Sequence, residues 1–163
     1  MATTLPYGGM SPHRARLLSW AADLTWAAER WLAPLVLLAA RLWMARIFFD
    51  SGLLKIQDID SAVFLFSEVH PVPLLPPLLA AWLAIAVELV ASTMLALGLL
   101  ARLAALPMLA MTLVIQFVVG AADPAFHVTE HYYWMFLLAF VVAFGPGLLS
   151  LDHWLKRRLW PRV

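Results

Sequence analysis

The chain has 163 residues, 64% of them hydrophobic and 13% charged, with a formal net charge of +1 and a mean hydropathy of +0.86. A soluble domain is about half apolar and a quarter charged, so this chain cannot build a water-facing surface and takes lipid as part of its solvent. With no basic block carrying interleaved aromatics, nucleic acid is excluded as a partner; with no cysteine, disulfides and thiolate chemistry within the chain are excluded too.

In chain order, residues 1–10 lack the basic start and short apolar core of a cleavable signal peptide. The first membrane helix is therefore expected to direct insertion. Ser11 followed by Pro12 marks a helix start. Beyond it Leu17, Trp20, Leu24, Ala28 and Trp31 recur at helical spacing, with His13, Arg14, Arg16, Asp23, Glu29 and Arg30 on much of the remaining surface. This pattern predicts an amphipathic helix in the membrane interface, with packing under a partner protein as the alternative.

Four apolar stretches of about 20 residues follow, each near the length a bilayer core of about 30 Å requires. The first covers residues 34–54 and the second 73–99. The third follows a tight turn at 98–102 and ends near Gly120, and the fourth runs from 132 to the Gly145-Pro146-Gly147 break. The longest connection, residues 56–72, has the apolar centre Ala62-Val63-Phe64-Leu65-Phe66, which predicts a short helix lying on the membrane. The expected architecture is an all-α membrane protein: a four-transmembrane-helix up-and-down bundle with an N-terminal amphipathic interfacial helix. Its divisions are a tail and interfacial helix at 1–32, the bundle at 33–150 and a basic tail at 151–163.

Lys and Arg set the orientation. Arg14, Arg16 and Arg30 precede the first span, Arg102 lies between the second and third, and Lys156, Arg157, Arg158 and Arg162 follow the fourth. The opposite side carries Lys55 beside Asp58, Asp60, Glu68, Asp123 and Glu130. The positive-inside rule places both termini in the cytoplasm.

Arg41, Arg46, Asp50 and Glu88 fall within spans, where charges are costly and usually paired. Counting about 1.5 Å per residue puts Arg41 and Glu88 each about 9 Å from the inner face, which predicts that they pair. Ala81, Ala84 and Ser92 share the Glu88 face and would let a neighbouring helix approach closely. Thr112, Gln116 and Gly120 form a second polar-to-small stripe on span three. Arg46 and Asp50, spaced i, i+4, are expected to pair along their own helix. Their face points away from Arg41 and is expected to meet another subunit, a partner or the N-terminal helix.

Among the histidines, His127 and His131 would be i, i+4 in an early-starting helix, with His70 on the same side. These three are the metal candidates, against the plainer reading of boundary histidines. His70 and His131 are also the residues available as axial haem ligands, with no second pair to support that use. No phosphate loop, nucleophile elbow or zinc-protease motif occurs.

With those residues on view, the chain resembles the DoxX family of small bacterial membrane proteins. The first-span pattern Arg-x(6)-Phe-x(3)-Gly-x(2)-Lys matches Arg41, Phe48, Gly52 and Lys55, and the second-span pattern matches Glu88, Leu95, Gly98 and Arg102. The stretch from His70 to Pro77, His131-Tyr132-Tyr133-Trp134 and the segment 147–152 look like a subgroup encoded beside enzymes that modify metal-binding peptides. Ala45 stands where the family usually has glycine, and Arg46 and Asp50 lie outside its general pattern. The resemblance covers about residues 38–155. It implies a bacterial inner-membrane protein beside redox systems, since the family is named for its similarity to a membrane subunit of thiosulfate:quinone oxidoreductase.

The favoured expectation is a redox-associated membrane subunit, an accessory to an oxidoreductase, binding a quinone or similar headgroup between helices. Its contacts would be Arg41, Lys55, Glu88, Gln116, His131 and Tyr132, as donors in an apolar pocket. A membrane anchor or assembly protein for an exported partner, and a small metal or solute transporter, are the competing readings.

Overall fold

The computed structural model describes residues 11–69, 71–72 and 75–159. His70, the expected start of the second span at 73–74, the first ten residues and Arg162 lie outside the described residues. Within them the chain is all-helical, with no strand.

A first helix, α1 (Pro12–Ala27), runs through a π-helical turn at Ala28–Leu32 into α2 (Ala33–Gln57). Pro12 opens α1, a position where a missing amide costs little; Pro34 lies inside the run, directly after the π-turn. The sequence pattern separates an interfacial helix from span one, but no break intervenes: His13–Gln57 is one helical run of 45 residues. Every described side chain from Ser11 to Trp26 is exposed.

Asp58 ends α2 and caps α3 (Ile59–Phe64), which continues as a π-turn at Leu65–Val69. The short helix expected over 62–66 is thus present. Two long helices follow, α4 (Pro77–Leu97) and α5 (Ala101–Ala122); α4 starts later than the apolar pattern implies because Pro76 has extended backbone and Pro77 opens the helix. Among the described residues, the first run, α4 and α5 are the three helices long and apolar enough to cross a membrane. Then comes α6 (Thr129–Phe144), 16 residues or about 24 Å long, and finally α7 (Leu151–Leu159).

Helix α6 packs along α5 and against α2, and α2 also lies against α4. Their shared core gathers Met44, Phe48, Leu95, Ala101, Ala105, Met108, Leu138 and Val141. Many leucines, valines and aromatics on the outward faces are exposed, as they must be where hydrocarbon is the solvent.

The α4–α5 turn is built by Gly98 at φ +68°. Its amide donates to Leu95 O, and the Leu99 amide donates to Met94 O, closing the helix end with the glycine in the left-handed conformation such ends favour. The Asp152 carboxylate then accepts from the Leu100 and Ala101 amides at 2.7 and 3.1 Å, capping the start of α5.

Candidate functional site

Two of the intramembrane charges meet partners other than those expected. The Arg41–Glu88 pair does not form. Arg41 is fully buried, and its guanidinium donates to the carbonyls of Leu95 and Ala96, at 3.3 Å each, and to Leu149 O. It therefore adds a donor to Leu95 O, which also accepts from the Gly98 amide, supplies one to Ala96 O, and ties the end of α4 to the α6–α7 loop. Glu88 lies opposite Gly52: a Cβ on Gly52 would come within 2.9 Å of the Glu88 Cβ. Eleven residues of helix separate positions 41 and 52, about 16 Å, so Arg41 and Glu88 occupy different heights. The late start of α4 at Pro77 removes several residues from the count that had levelled them. Gly52 and Gly98 set the register, since a side chain at Gly98 would also collide with the Arg41 guanidinium.

Glu88 instead pairs with Lys55. The Lys55 ammonium donates to Glu88 Oε1 at 2.7 Å and to Ser51 Oγ at 2.7 Å, and Ser51 Oγ donates to the same carboxylate oxygen at 3.2 Å. The side chains are 16% and 6% exposed, so both charges leave most of their solvent and depend on one another. Glu88 sits in a π-helical turn, Val87–Ala91, a feature that recurs at functional positions in helices. Ala81, Ala84 and Ser92 around it are buried, as their size led one to expect.

The ion pair faces a cavity of about 400 Å³. Its walls are mostly apolar, among them Phe48, Phe66, Leu75, Leu83, Met111, Ile115 and Trp134; Ser51, Lys55, Glu88 and His131 are its polar groups. Such a lining, apolar with a few convergent polar atoms, is the usual composition of a small-molecule site. The second carboxylate oxygen, Glu88 Oε2, is buried and has no hydrogen-bond partner.

Behind the wall, Gln116 Oε1 and His131 Nδ1 lie 2.8 Å apart, both residues buried. Gln116 occupies another π-turn, Ile115–Val119. The predicted Thr112–Gln116–Gly120 stripe is buried along its length, with Gln116 fixing the His131 ring rather than lining the cavity. Trp134 stands edge-on to His131 at 5.0 Å and to Phe48 at 6.0 Å between ring centroids.

The expected ligand-binding set therefore divides. Lys55, Glu88 and His131 come together, Gln116 supports them from outside, and Arg41 is elsewhere. Tyr132 is not part of the cavity wall: it is exposed, and its hydroxyl lies 3.2 Å from His127 Nε2. Nor do His127 and His131 share a helix. Pro124–Phe126 forms a 3-10 turn capped by Asp123, Val128 is extended, and α6 begins only at Thr129. Among the described residues no group of three His, Cys, Asp or Glu side chains stands as a metal-ligand set. Ser51 was not singled out from sequence, and Trp134 entered only through the family-like stretch 131–134; Ser51 lies one turn before Lys55, the i, i+4 relation that places both on one face.

Arg46 and Asp50 form the expected pair at 3.6 Å, on the outer face of α2 with side chains 82% and 61% exposed.

These features belong to a helical membrane protein whose second crossing carries a buried acid neutralised from the first. The family model for DoxX matches residues 36–121, and the chain belongs to the DoxX family. No curated protein and no solved structure matches it.

Proposed function

We propose that this DoxX protein is a redox-associated membrane subunit that holds a quinone, or a molecule with a similar oxygen-bearing ring, in the cavity beside Lys55 and Glu88. The observation that carries this reading is the polar triad, Ser51, Lys55 and Glu88, on one wall of a space whose other lining, His131 apart, is mostly apolar. Lys55 has three N–H donors, of which the bonds to Ser51 and Glu88 account for two. The third is a donor for a ring carbonyl, and the unpartnered Glu88 Oε2 is an acceptor for a ring hydroxyl. The residues thus fit both the carbonyl and the hydroxyl form of such a group. A quinone supplies two-electron, two-proton redox chemistry when bound. This chain's residues orient the head by its oxygens, exclude water with Phe48, Leu83 and Trp134, and hold a proton at Glu88 when the ammonium is drawn toward the ligand.

In this reading α6 completes a fourth crossing, its shortness met by local thinning of the bilayer. α1 lies toward the cytoplasm, as do both termini, and the membrane is the bacterial inner membrane. The Lys and Arg distribution supports that orientation. The Arg46–Asp50 face is read as a protein interface, because an exposed ion pair within a span is costly against lipid.

The test is titration of a short-chain quinone analogue into purified protein in mild detergent, followed through quenching of Trp134 fluorescence with Trp134→Phe as the control. Saturable quenching that weakens at least about tenfold, the loss of one charge-assisted hydrogen bond, in Lys55→Met and Glu88→Gln is expected. No saturable change, or equal binding by Lys55→Met, would remove the proposal.

A further inference from the structure

The α2 part of the 45-residue helical run carries one exposed face. Leu42, Arg46, Phe49 and Leu53 mark it as a stripe, all exposed. Steps of three and four residues keep these positions on one face of a helix. On α2 the exposure is selective, because the opposite face (Met44, Phe48, Gly52) is buried against the bundle.

The ion pair lies on this stripe. It faces a groove shared with Ser92, Thr93 and Ala96 of α4. Thr93 is four residues from the end of α4 at Leu97, or about 6 Å. A lone arginine at that depth would snorkel toward the nearer interface, yet the Arg46 guanidinium is drawn the other way, to Asp50. Two opposite charges held in this geometry require something polar opposite them. α1 cannot supply it by folding back, because it is continuous with α2.

We propose that the stripe is a homodimer seam, with α2 of one copy parallel to α2 of a second and Arg46 of each copy reaching Asp50 of the other. The proposal rests on reading this face as a protein interface and names its occupant. Copies inserted with the same orientation are related by a two-fold axis along the membrane normal, which sets like helices side by side at equal height. Arg46 then stands four residues, about 6 Å of rise, from the partner copy's Asp50, across an axis separation of about 8–10 Å. That gap is within reach of an arginine side chain. The motif is self-complementary: one acid and one base per copy give two cross-pairs and no charge left over.

The chain has no cysteine, so single-cysteine variants report cleanly on neighbours in native membranes. Ala39→Cys lies on the midline between Arg46 and Asp50 and Leu53→Cys about 40° from it, whereas Ile56→Cys is about 100° round the helix. Ile56 is more exposed than Leu53, at 44% against 37%. Oxidative cross-linking several-fold higher at 39 and 53 than at 56 is expected. A charge exchange separates contacts between copies from those within one. An Arg46→Asp chain, acidic at both positions, and an Asp50→Arg chain, basic at both, should each run at monomer mass alone and form a mixed dimer when co-expressed.

Cross-linking that follows exposure instead of face, or no mixed dimer from two variants that each retain wild-type helicity, overturns the proposal. Capture of only lipid by a photo-reactive group at position 46 overturns both the dimer and the interface reading. Capture of a different protein there overturns the dimer alone.

Discussion

Lys55 reaches across from α2 to Glu88 on α4, 2.7 Å from one carboxylate oxygen, and leaves the other oxygen turned into a buried position without a partner. The arrangement is asymmetric: the base is shared between Ser51 and the acid, while the acid keeps an acceptor in reserve. Removing the base strands a buried carboxylate. Lys55→Met should destabilise the protein by about 3 kcal/mol, the cost of breaking a buried pair from one side. Glu88→Gln, which keeps an acceptor oxygen, should cost less. Denaturation in detergent for the two single variants and for Lys55→Met with Glu88→Leu gives the coupling directly; a double variant no better than the sum of the singles would show that the pair is not coupled.

Arg41 should behave differently. Arg41→Met removes the guanidinium from the Ala96 and Leu149 carbonyls, while Leu95 O keeps the Gly98 amide; it should cost about 2–4 kcal/mol, while quinone-analogue affinity stays at the wild-type value. Loss of affinity at full stability would contradict the separation of the two ends. Binding and melting measured on the same preparation decide it.

The Gln116–His131 contact predicts a non-additive pair. Gln116→Leu alone leaves the buried His131 Nδ1 unmatched, at about 1–3 kcal/mol. Gln116→Leu combined with His131→Phe replaces both polar groups with apolar ones and should recover much of that loss. A strictly additive double variant would mean that the 2.8 Å approach contributes nothing.

Asp58 carries a pH dependence outside the membrane. The Ser61 hydroxyl donates to its carboxylate at 2.5 Å and the Ser61 amide at 3.0 Å, which holds the carboxyl below its ordinary value of 3.8. A group depressed in the folded state contributes its stability above the unfolded value and loses it as pH falls through the folded one. The amides of α3 should therefore exchange faster below about pH 3.8 in the wild type. In Asp58→Asn they should show no such step. Hydrogen exchange across residues 59–64 at several pH values is the measurement.

The long apolar helices were legible because composition and periodicity report burial in lipid directly: α4 and α5 differ from the expected spans by only a few residues. The polar partners were harder. Depth counting assumes that helix starts are known, and the extended Pro76 that moves α4 to Pro77 shifts every later residue relative to α2. That shift replaced Arg41 with Lys55 as the partner of Glu88. Gly52 held the missing signal, since a glycine facing a glutamate marks where two helices touch. His127 failed for a related reason: Pro124 was visible, but the extended Val128 that delays α6 depends on how the loop lies against Gly120. The family pattern placed Lys55 beside Arg41 and Glu88 without saying which base serves the acid.

The glycine turn at Gly98 has a mechanical consequence. Leu97 and Ala101 are held a few residues apart, Asp152 fastens that turn to α7, and Arg41 fastens α2 to both. The opposite end has ties of its own, Lys55 to Glu88 between α2 and α4 and Gln116 to His131 between α5 and α6. The four long elements are thus pinned at two heights, like a ladder with a rung near each end, and the cavity opens beside the second rung.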